Sequence, residues 1–416
     1  MAAKKSWTKT LLLMFGVGLA MLPVAIMGLY VYASATAEVV HPNPQDVQSK
    51  TDTKLVGKWQ GAVGQAQQIV RSSLSEQNLP GLSVAVAAGG ELVWAEGFGW
   101  ADIEKRVAVG PETRFRMGTA SKVLTSAAVG LLLEKERLKL EDEIQTYVPE
   151  FPKKQWSVTL RQLMGHLAGV GNDGGDEGPL YSVACDSPVE GVKQFAENSL
   201  VFEAGTLSFE PGSEYRYSTY GWILVSAAVE AAAEEPFMTF MQTRVFDPLG
   251  MKDTRADSVT KEIPDRAAPY FPRFSADPRY GLDLMRPIDY SCYSGASAFL
   301  STPSDLVRYA QAFHSGKLLK PATVELLQTS QRLTSGPETG YGLGWDLETV
   351  KLSGQQTRVI GHDGESLGGT VMSLMTFPEH DISVAVMSNS AYADTPGVGL
   401  KIAQVFAEQG STPARK

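Results

Sequence analysis

Residues 80–122 read PGLSVAVAAGGELVWAEGFGWADIEKRVAVGPETRFRMGTASK. Two strand-like runs within 82–103 are joined by Gly89-Gly90, which is a hairpin signal, because paired glycines supply the positive φ angles that a tight strand reversal needs. The stretch ends on RFRMGTASK (114–122) and leads into an apolar-rich helix candidate, Ser121 to Leu138. The hydroxyl of Thr119 and the amine of Lys122 lie three positions apart and so share one helix face. A helix start also offers unsatisfied backbone N–H groups and the positive end of the dipole, both of which stabilise a developing oxyanion. A lysine there serves as a base when burial or nearby positive charge lowers its pKa. Alone, Thr-x-x-Lys describes no more than a helix N-terminus. Ser121 is a second candidate hydroxyl, but it lies next to Lys122 and points off a different face.

On the N-terminal side, Trp59 to Leu74 carries apolar residues at helical spacing, and Pro80-Gly81 ends that unit. On the C-terminal side, Tyr217 to Ala233 reads as a further helix. Gly361 to Asn389 returns to β character, with TVMSLMTF and ISVAVMSN joined across Pro378 to Asp381 as a second hairpin. The folded part therefore starts and finishes in antiparallel strands with helices between. This predicts an α/β (α+β) fold: one antiparallel sheet built from both ends of the chain, flanked by helices, with an all-helical insert region. Neither an internal repeat nor a low-complexity tract is present.

The 416 residues are 43% hydrophobic and 20% charged, which excludes wholesale disorder, and two cysteines exclude a disulfide scaffold. With 37 Lys+Arg against 46 Asp+Glu and no basic stripe, a nucleic-acid partner is not expected. The net charge of −9 is unevenly spread. Lys4, Lys5 and Lys9 precede an uncharged run, leaving 34 basic against 46 acidic residues, or −12, from Glu38 onward. Thr10 to Ala33 is apolar and longer than the roughly 20 residues that span a bilayer. It predicts one N-terminal transmembrane helix with the lysines left in the cytoplasm. Ala33-Ser34-Ala35 and Ala35-Thr36-Ala37 resemble cleavage sites, so a removed signal peptide is the competing reading. The expected organisation is a cytoplasmic stub 1–9, an anchor 10–33, a polar linker 34–57, a folded domain 58–409 and a flexible tail 410–416. The catalytic part would then lie on the exported, periplasmic or extracytoplasmic side of a single-pass membrane protein.

Further blocks follow in order: YVPEFP at 147–152, LRQLMGHLAG at 160–169, EPGSEYRYST at 210–219, FLSTPSDL at 299–306, YGLGW at 341–345 and GHDG at 361–364. Together with 80–122 they resemble the serine β-lactamase and penicillin-binding-protein superfamily, nearest to class C β-lactamases, DD-carboxypeptidases and esterases. The resemblance covers nearly all of residues 58 to 400 and implies a β-lactamase/transpeptidase-like hydrolase. The family's Ser-x-x-Lys falls on Thr119 to Lys122, so a threonine stands in the nucleophile position. A threonine hydroxyl can attack, but its methyl crowds the acyl group or the water that removes it. Tyr-x-Asn falls on Tyr217 to Thr219, which implies an acid/base role for Tyr217 and puts a shorter group at the substrate-binding position 219. Lys-Thr-Gly or His-x-Gly falls on His362 to Gly364. His362 would tune Tyr217 or donate to substrate, Gly364 would let substrate approach the backbone, and the Glu365 N–H would join that of Thr119 in an oxyanion hole.

His41, His314 and His380 lack neighbours at metal spacing, His166 reads as structural, and the acidic run Asn172 to Gly178 lacks EF-hand spacing; no metal and no organic cofactor is expected. That acidic run could instead shape one wall of the cleft. Cys185 and Cys292 either pair or stay free, a matter decided by their Cα separation. The expected partners are a small-molecule or peptide acyl substrate and, through the N-terminal helix, the membrane; oligomeric state is left open. Two functions follow: a membrane-anchored acyl-transfer hydrolase, of esterase or peptidase type rather than a true β-lactamase, or a non-catalytic scaffold or ligand-binding protein on the same fold.

Overall fold

The computed structural model describes residues 2–52, 57–171, 184–198, 207–286, 288–366 and 369–411, with the side chains of 2–13, 16–20, 196–198 and 411 outside that description. Its strands are β1 (Ser49–Thr51), β2 (Gly81–Ala88), β3 (Glu91–Asp102), β4 (Val107–Ala108), β5 (Phe115–Arg116), β6 (Arg255–Ala256) and β7 (Tyr270–Pro272). There follow β8 (Leu282–Leu284), β9 (Phe299–Ser301), β10 (Asp346–Leu352), β11 (Gln355–Ser366), β12 (Thr370–Phe377) and β13 (Ile382–Ser388). The main sheet runs β1-β3-β2-β13-β12-β11-β10, with β4 on β3. Both expected hairpins are present. Gly89 and Gly90 turn β2 into β3 at φ 63° and 79°, and β12 and β13 pair from Val371 opposite Ser388 to Phe377 opposite Ile382. The ends of the chain meet where β13 pairs antiparallel with β2, Ile382 opposite Ala88 and Ser388 opposite Leu82.

Alternation then sorts side chains to two faces. Leu82, Val84, Val86, Val384 and Val386 pack with Val70 and Leu74 of helix Gln60–Gln77 and with Ile402 and Phe406 of helix Thr395–Ser411. The opposite face presents Ala85, Ala87, Ala385 and Met387 to the core of helices Ser121–Glu134, Thr219–Ala233 and Pro303–His314. Small residues there let helix Pro303–His314 lie close on the sheet. The insert between the hairpins includes helices Leu160–Met164 and Pro188–Asn198 but is not all helical as expected, because it also carries the small sheets β5-β9-β6 and β7-β8, whose two- and three-residue strands are too short to show a period in sequence. Cys185 and Cys292 form a disulfide, with Cα atoms 4.8 Å apart across a sequence separation of 107, and tie the insert to the turn Ser291–Ala296.

The region expected as a linker departs from that expectation, because much of 38–51 is docked on the domain. Val40 N donates to Asn78 Oδ1 at 2.8 Å, His41 Nε2 lies 2.8 Å from Pro80 O, and Val47 and His41 are buried. β1 then covers the edge of β3, Ser49 opposite Phe98 and Thr51 opposite Glu96. Polar composition without apolar periodicity reads as a tether, but an exposed strand edge can hold such a segment through backbone hydrogen bonds. The C-terminal helix runs through Ser411, two residues into the expected tail. The segment expected to cross a membrane lies within helix Ala2–Thr36; among the described residues no helix is long and apolar enough to do so. The acidic run Asn172 to Gly178 lies outside the described residues.

Candidate active site

Thr119 sits on the 3-10 turn Gly118–Ala120, immediately before helix Ser121–Glu134. It is half-buried, and its hydroxyl donates to the Asp363 carbonyl at 3.4 Å. Ser121, the other hydroxyl, is fully buried and receives the Phe299 N–H at 3.4 Å, so it belongs to the core. Lys122 is also fully buried. Its Nζ donates to Tyr217 Oη at 2.8 Å and to Thr219 Oγ1 at 3.4 Å, and lies 4.6 Å from the centre of the Tyr217 ring. Thr219 therefore stands against the lysine. It opens helix Thr219–Ala233, whose N-cap Ser218 accepts the Gly221 N–H at 3.2 Å.

The opposite wall is β11. A Cβ on Gly364 would lie 2.0 Å from the Met117 carbonyl oxygen, and one on Gly118 (φ 53°) would lie 2.3 Å from that of Glu365. The two glycines thus let β11 and the Thr119 turn interlock backbone to backbone. Gly364 is expected to let substrate approach the backbone; in this structure it also lets the Thr119 turn approach. Glu365 is held beside the turn by the same contact. Arg116, just before the turn on β5, is braced by a buried ion pair with Asp257 at 2.6 Å and by the Ile288 carbonyl at 2.9 Å.

His362 on β11 is buried, with Nε2 3.1 Å from Tyr341 Oη and Nδ1 bonded to the Asp363 carbonyl. Asp346 Oδ2 lies 3.8 Å from Nδ1. Burial lowers the His362 pKa, the Lys122 charge adds to that, and Asp346 opposes it. The rings of Tyr217 and His362 are 6.2 Å apart. All seven residues expected at the site, Thr119, Lys122, Tyr217, Thr219, His362, Gly364 and Glu365, thus fall on two facing walls in mutual contact.

Two neighbours were not anticipated as part of it. Tyr341 is buried and bonds His362, and burial raises its pKa well above the ordinary phenol value. His166, buried, packs its ring 4.2 Å from Tyr217 and 4.6 Å from Tyr341. Both lie in sequence blocks already noticed, but a lone His or Tyr carries no periodicity that reveals its neighbours. A cavity of about 800 Å³ lies elsewhere, lined by Leu92, Val307, Gln311, His314 and Asp381 among others. It contains none of these groups, so the chemistry rather than the volume locates the site. No cluster of three or more metal-ligating side chains occurs among the described residues.

The family described as Beta-lactamase matches residues 66–408. The human mitochondrial serine beta-lactamase-like protein LACTB is 26% identical over 83% of this chain and 80% of its own length. The putative penicillin-binding protein PbpX of Bacillus subtilis (strain 168) is 25% identical over 83% of this chain and 84% of its own. Among solved structures, EstCE1, a hydrolase with promiscuous acyltransferase activity, superimposes with a TM-score of 0.66 at 22% identity, covering 84% of this chain and 99% of that one.

Proposed function

The chain belongs to the beta-lactamase family, a serine hydrolase-type group that includes the penicillin-binding proteins, and on that premise we propose that Thr119 is its acyl-transfer nucleophile. The observation that carries this reading is the 2.8 Å contact between fully buried Lys122 and Tyr217, beside half-buried Thr119, whereas the neighbouring Ser121 hydroxyl is sunk in the core. The Thr119 proton passes to the Lys122–Tyr217 pair as Oγ1 bonds the acyl carbon of an ester or amide. The carbonyl oxygen becomes an oxyanion held by the N–H groups of Thr119 and Glu365. Its collapse breaks the bond to the leaving group, which takes the proton from Tyr217. Water then attacks the acyl-threonine, with the same pair as base, and frees Thr119.

Ester or short peptide acyl groups fit this site better than β-lactams, because Thr219 lacks the amide that the family places there and its hydroxyl is engaged with Lys122. The same proposal places the domain on the exported side of a membrane, anchored by the N-terminal helix. Its support is the exposed apolar surface of Met21, Leu22, Val24, Ile26, Met27, Leu29 and Val31, the three preceding lysines, and a disulfide suited to an oxidising compartment.

The test is labelling of the detergent-solubilised chain with a fluorescent penicillin or a fluorophosphonate, together with a chromogenic ester assay. Thr119→Ala should abolish both signals, a loss of roughly 10⁴-fold or more in turnover, and Thr119→Ser should preserve or raise them. Activity that survives Thr119→Ala would remove the nucleophile assignment. A silent wild type that gains labelling and turnover as Thr119→Ser would mark a non-catalytic protein on this fold.

A further inference from the structure

His166 follows helix Leu160–Met164 in the left-handed region, at φ 59°, and is 2% exposed. Two hydrogen bonds run from it to the segment that carries Tyr217. Its carbonyl oxygen accepts the Arg216 N–H at 3.0 Å, and its ring Nδ1 accepts the Ser218 N–H at 3.0 Å. The N–H groups of the residues on either side of Tyr217, Arg216 and Ser218, are therefore both held by one residue. The His166 ring also lies 31° from parallel with the Tyr217 ring, centroids 4.2 Å apart, so the side chain is located as well as the backbone.

An imidazole whose Nδ1 accepts must carry its proton on Nε2. That Nε2 is buried without a hydrogen-bond partner, and the rings of Tyr341 and Trp222 stand 4.6 and 6.5 Å from the imidazole. Leaving a ring nitrogen unsatisfied costs free energy, which a purely space-filling residue at this position would avoid. Burial, then the charges of Lys122 and His362, hold the His166 pKa well below its ordinary 6.5, which keeps Nδ1 available as an acceptor.

We propose that His166 is a positioning residue that clamps the backbone on both sides of Tyr217 and so holds the phenol oxygen on Lys122. The proposal rests on the assignment of Tyr217 as acid/base partner. It distinguishes the two polar parts of His166: the carbonyl bond survives any substitution, whereas the Nδ1 bond requires an acceptor at the δ position of a residue that tolerates positive φ. Asparagine meets both requirements, because it is enriched in the left-handed region and carries a δ oxygen. Glutamine places its acceptor one carbon too far, and alanine has none.

The experiment compares His166→Ala, His166→Gln, His166→Asn, Tyr217→Phe and the His166→Ala/Tyr217→Phe double variant in the full-length chain with a chromogenic ester, with thermal melts to show that each is folded. A displacement of about 1 Å costs on the order of 10²-fold in rate. His166→Ala and His166→Gln should therefore lose about that much in kcat with KM little changed, and His166→Asn should recover most of it. In the Tyr217→Phe background His166→Ala should cost nothing further. Equal losses in the Asn, Gln and Ala variants, or an additive loss in the double variant, would overturn the clamp. Tyr217→Phe with wild-type kcat would instead remove the acid/base assignment. A crystal structure of His166→Ala tests the clamp without turnover: the phenol oxygen should leave Lys122, and an unchanged 2.8 Å contact would refute the proposal.

Discussion

The turn around Thr119 and the segment 215–218 meet at Lys122, yet they are held there by opposite means. The turn is fixed by backbone against backbone: Gly118 against the Glu365 carbonyl, Gly364 against the Met117 carbonyl, with a 3-10 turn running straight into a helix. The tyrosine segment has no regular structure of its own before Thr219. It is fixed by His166, through one carbonyl, one ring nitrogen and a tilted ring contact. A site whose two halves are positioned so differently should fail differently. A backbone interlock offers no room for a single methyl group, whereas a side-chain clamp can be loosened by degrees.

The largest effect expected from breaking that contrast is at Gly364. Gly364→Ala puts a methyl 2.0 Å from the Met117 carbonyl, which separates β11 from the turn and displaces the Glu365 N–H. On the proposed mechanism that N–H is an oxyanion donor, whose removal costs roughly 10²–10³-fold in kcat, and steady-state kinetics on the folded fraction should show at least that. Near-wild-type kcat in this variant would mean that the interlock does not set the oxyanion geometry.

Next is the brace behind the same turn. Asp257→Ala leaves the Arg116 guanidinium buried without its 2.6 Å partner, an arrangement that costs about 3–5 kcal/mol. Denaturant unfolding should report that loss, while kcat per folded molecule changes little, because Gly364 and Gly118 still lock the turn. A large kcat effect without destabilisation would show that the ion pair, and not the interlock, places Thr119.

The smallest effect is on acid stability, and it belongs to the tyrosine side. The pKa of His166 is lowered from 6.5 by burial and by the Lys122 and His362 charges. Above pH 6.5 the imidazole is neutral both folded and unfolded. Below it the unfolded chain takes up a proton that the folded chain refuses, so stability falls as pH falls. The slope from one such group is at most about 1.4 kcal/mol per pH unit. His166→Asn should have a shallower decline in melting temperature between pH 6.5 and 5 than wild type, every other titrating group being common to both. Parallel curves would place the proton uptake elsewhere, His362 being the first alternative.

The same contrast explains what could be read without coordinates. The Thr119–Lys122 spacing and the helix behind it are local features, because a helix shows its period. The hairpins at both ends of the folded part were legible for the same reason, through Gly89-Gly90 and through alternating strands. The docked strap of residues 38–51 was not, since its hold on Asn78, Pro80 and the β3 edge is by hydrogen bonds that leave no apolar pattern. The contact of Gly364 with the Met117 carbonyl was not legible either, because a sequence shows that space is needed but not what fills it. His166 looked like any histidine after a short helix, and its Ser218 partner is 52 residues away.

By itself the sequence determined the antiparallel sheet closed from both chain ends, the helices between its hairpins and the family resemblance to acyl-transfer hydrolases. Those depend on side-chain period, on turn chemistry and on which residue types are present. Only the tertiary structure decided which hydroxyl is presented and which is spent in the core, that Cys185 meets Cys292, and that His166, by its carbonyl and its ring, holds the N–H groups of Arg216 and Ser218 on either side of Tyr217. Each of these is a contact between segments far apart in the chain, and such contacts are set by how the sheet and insert pack rather than by any local preference of the residues that make them.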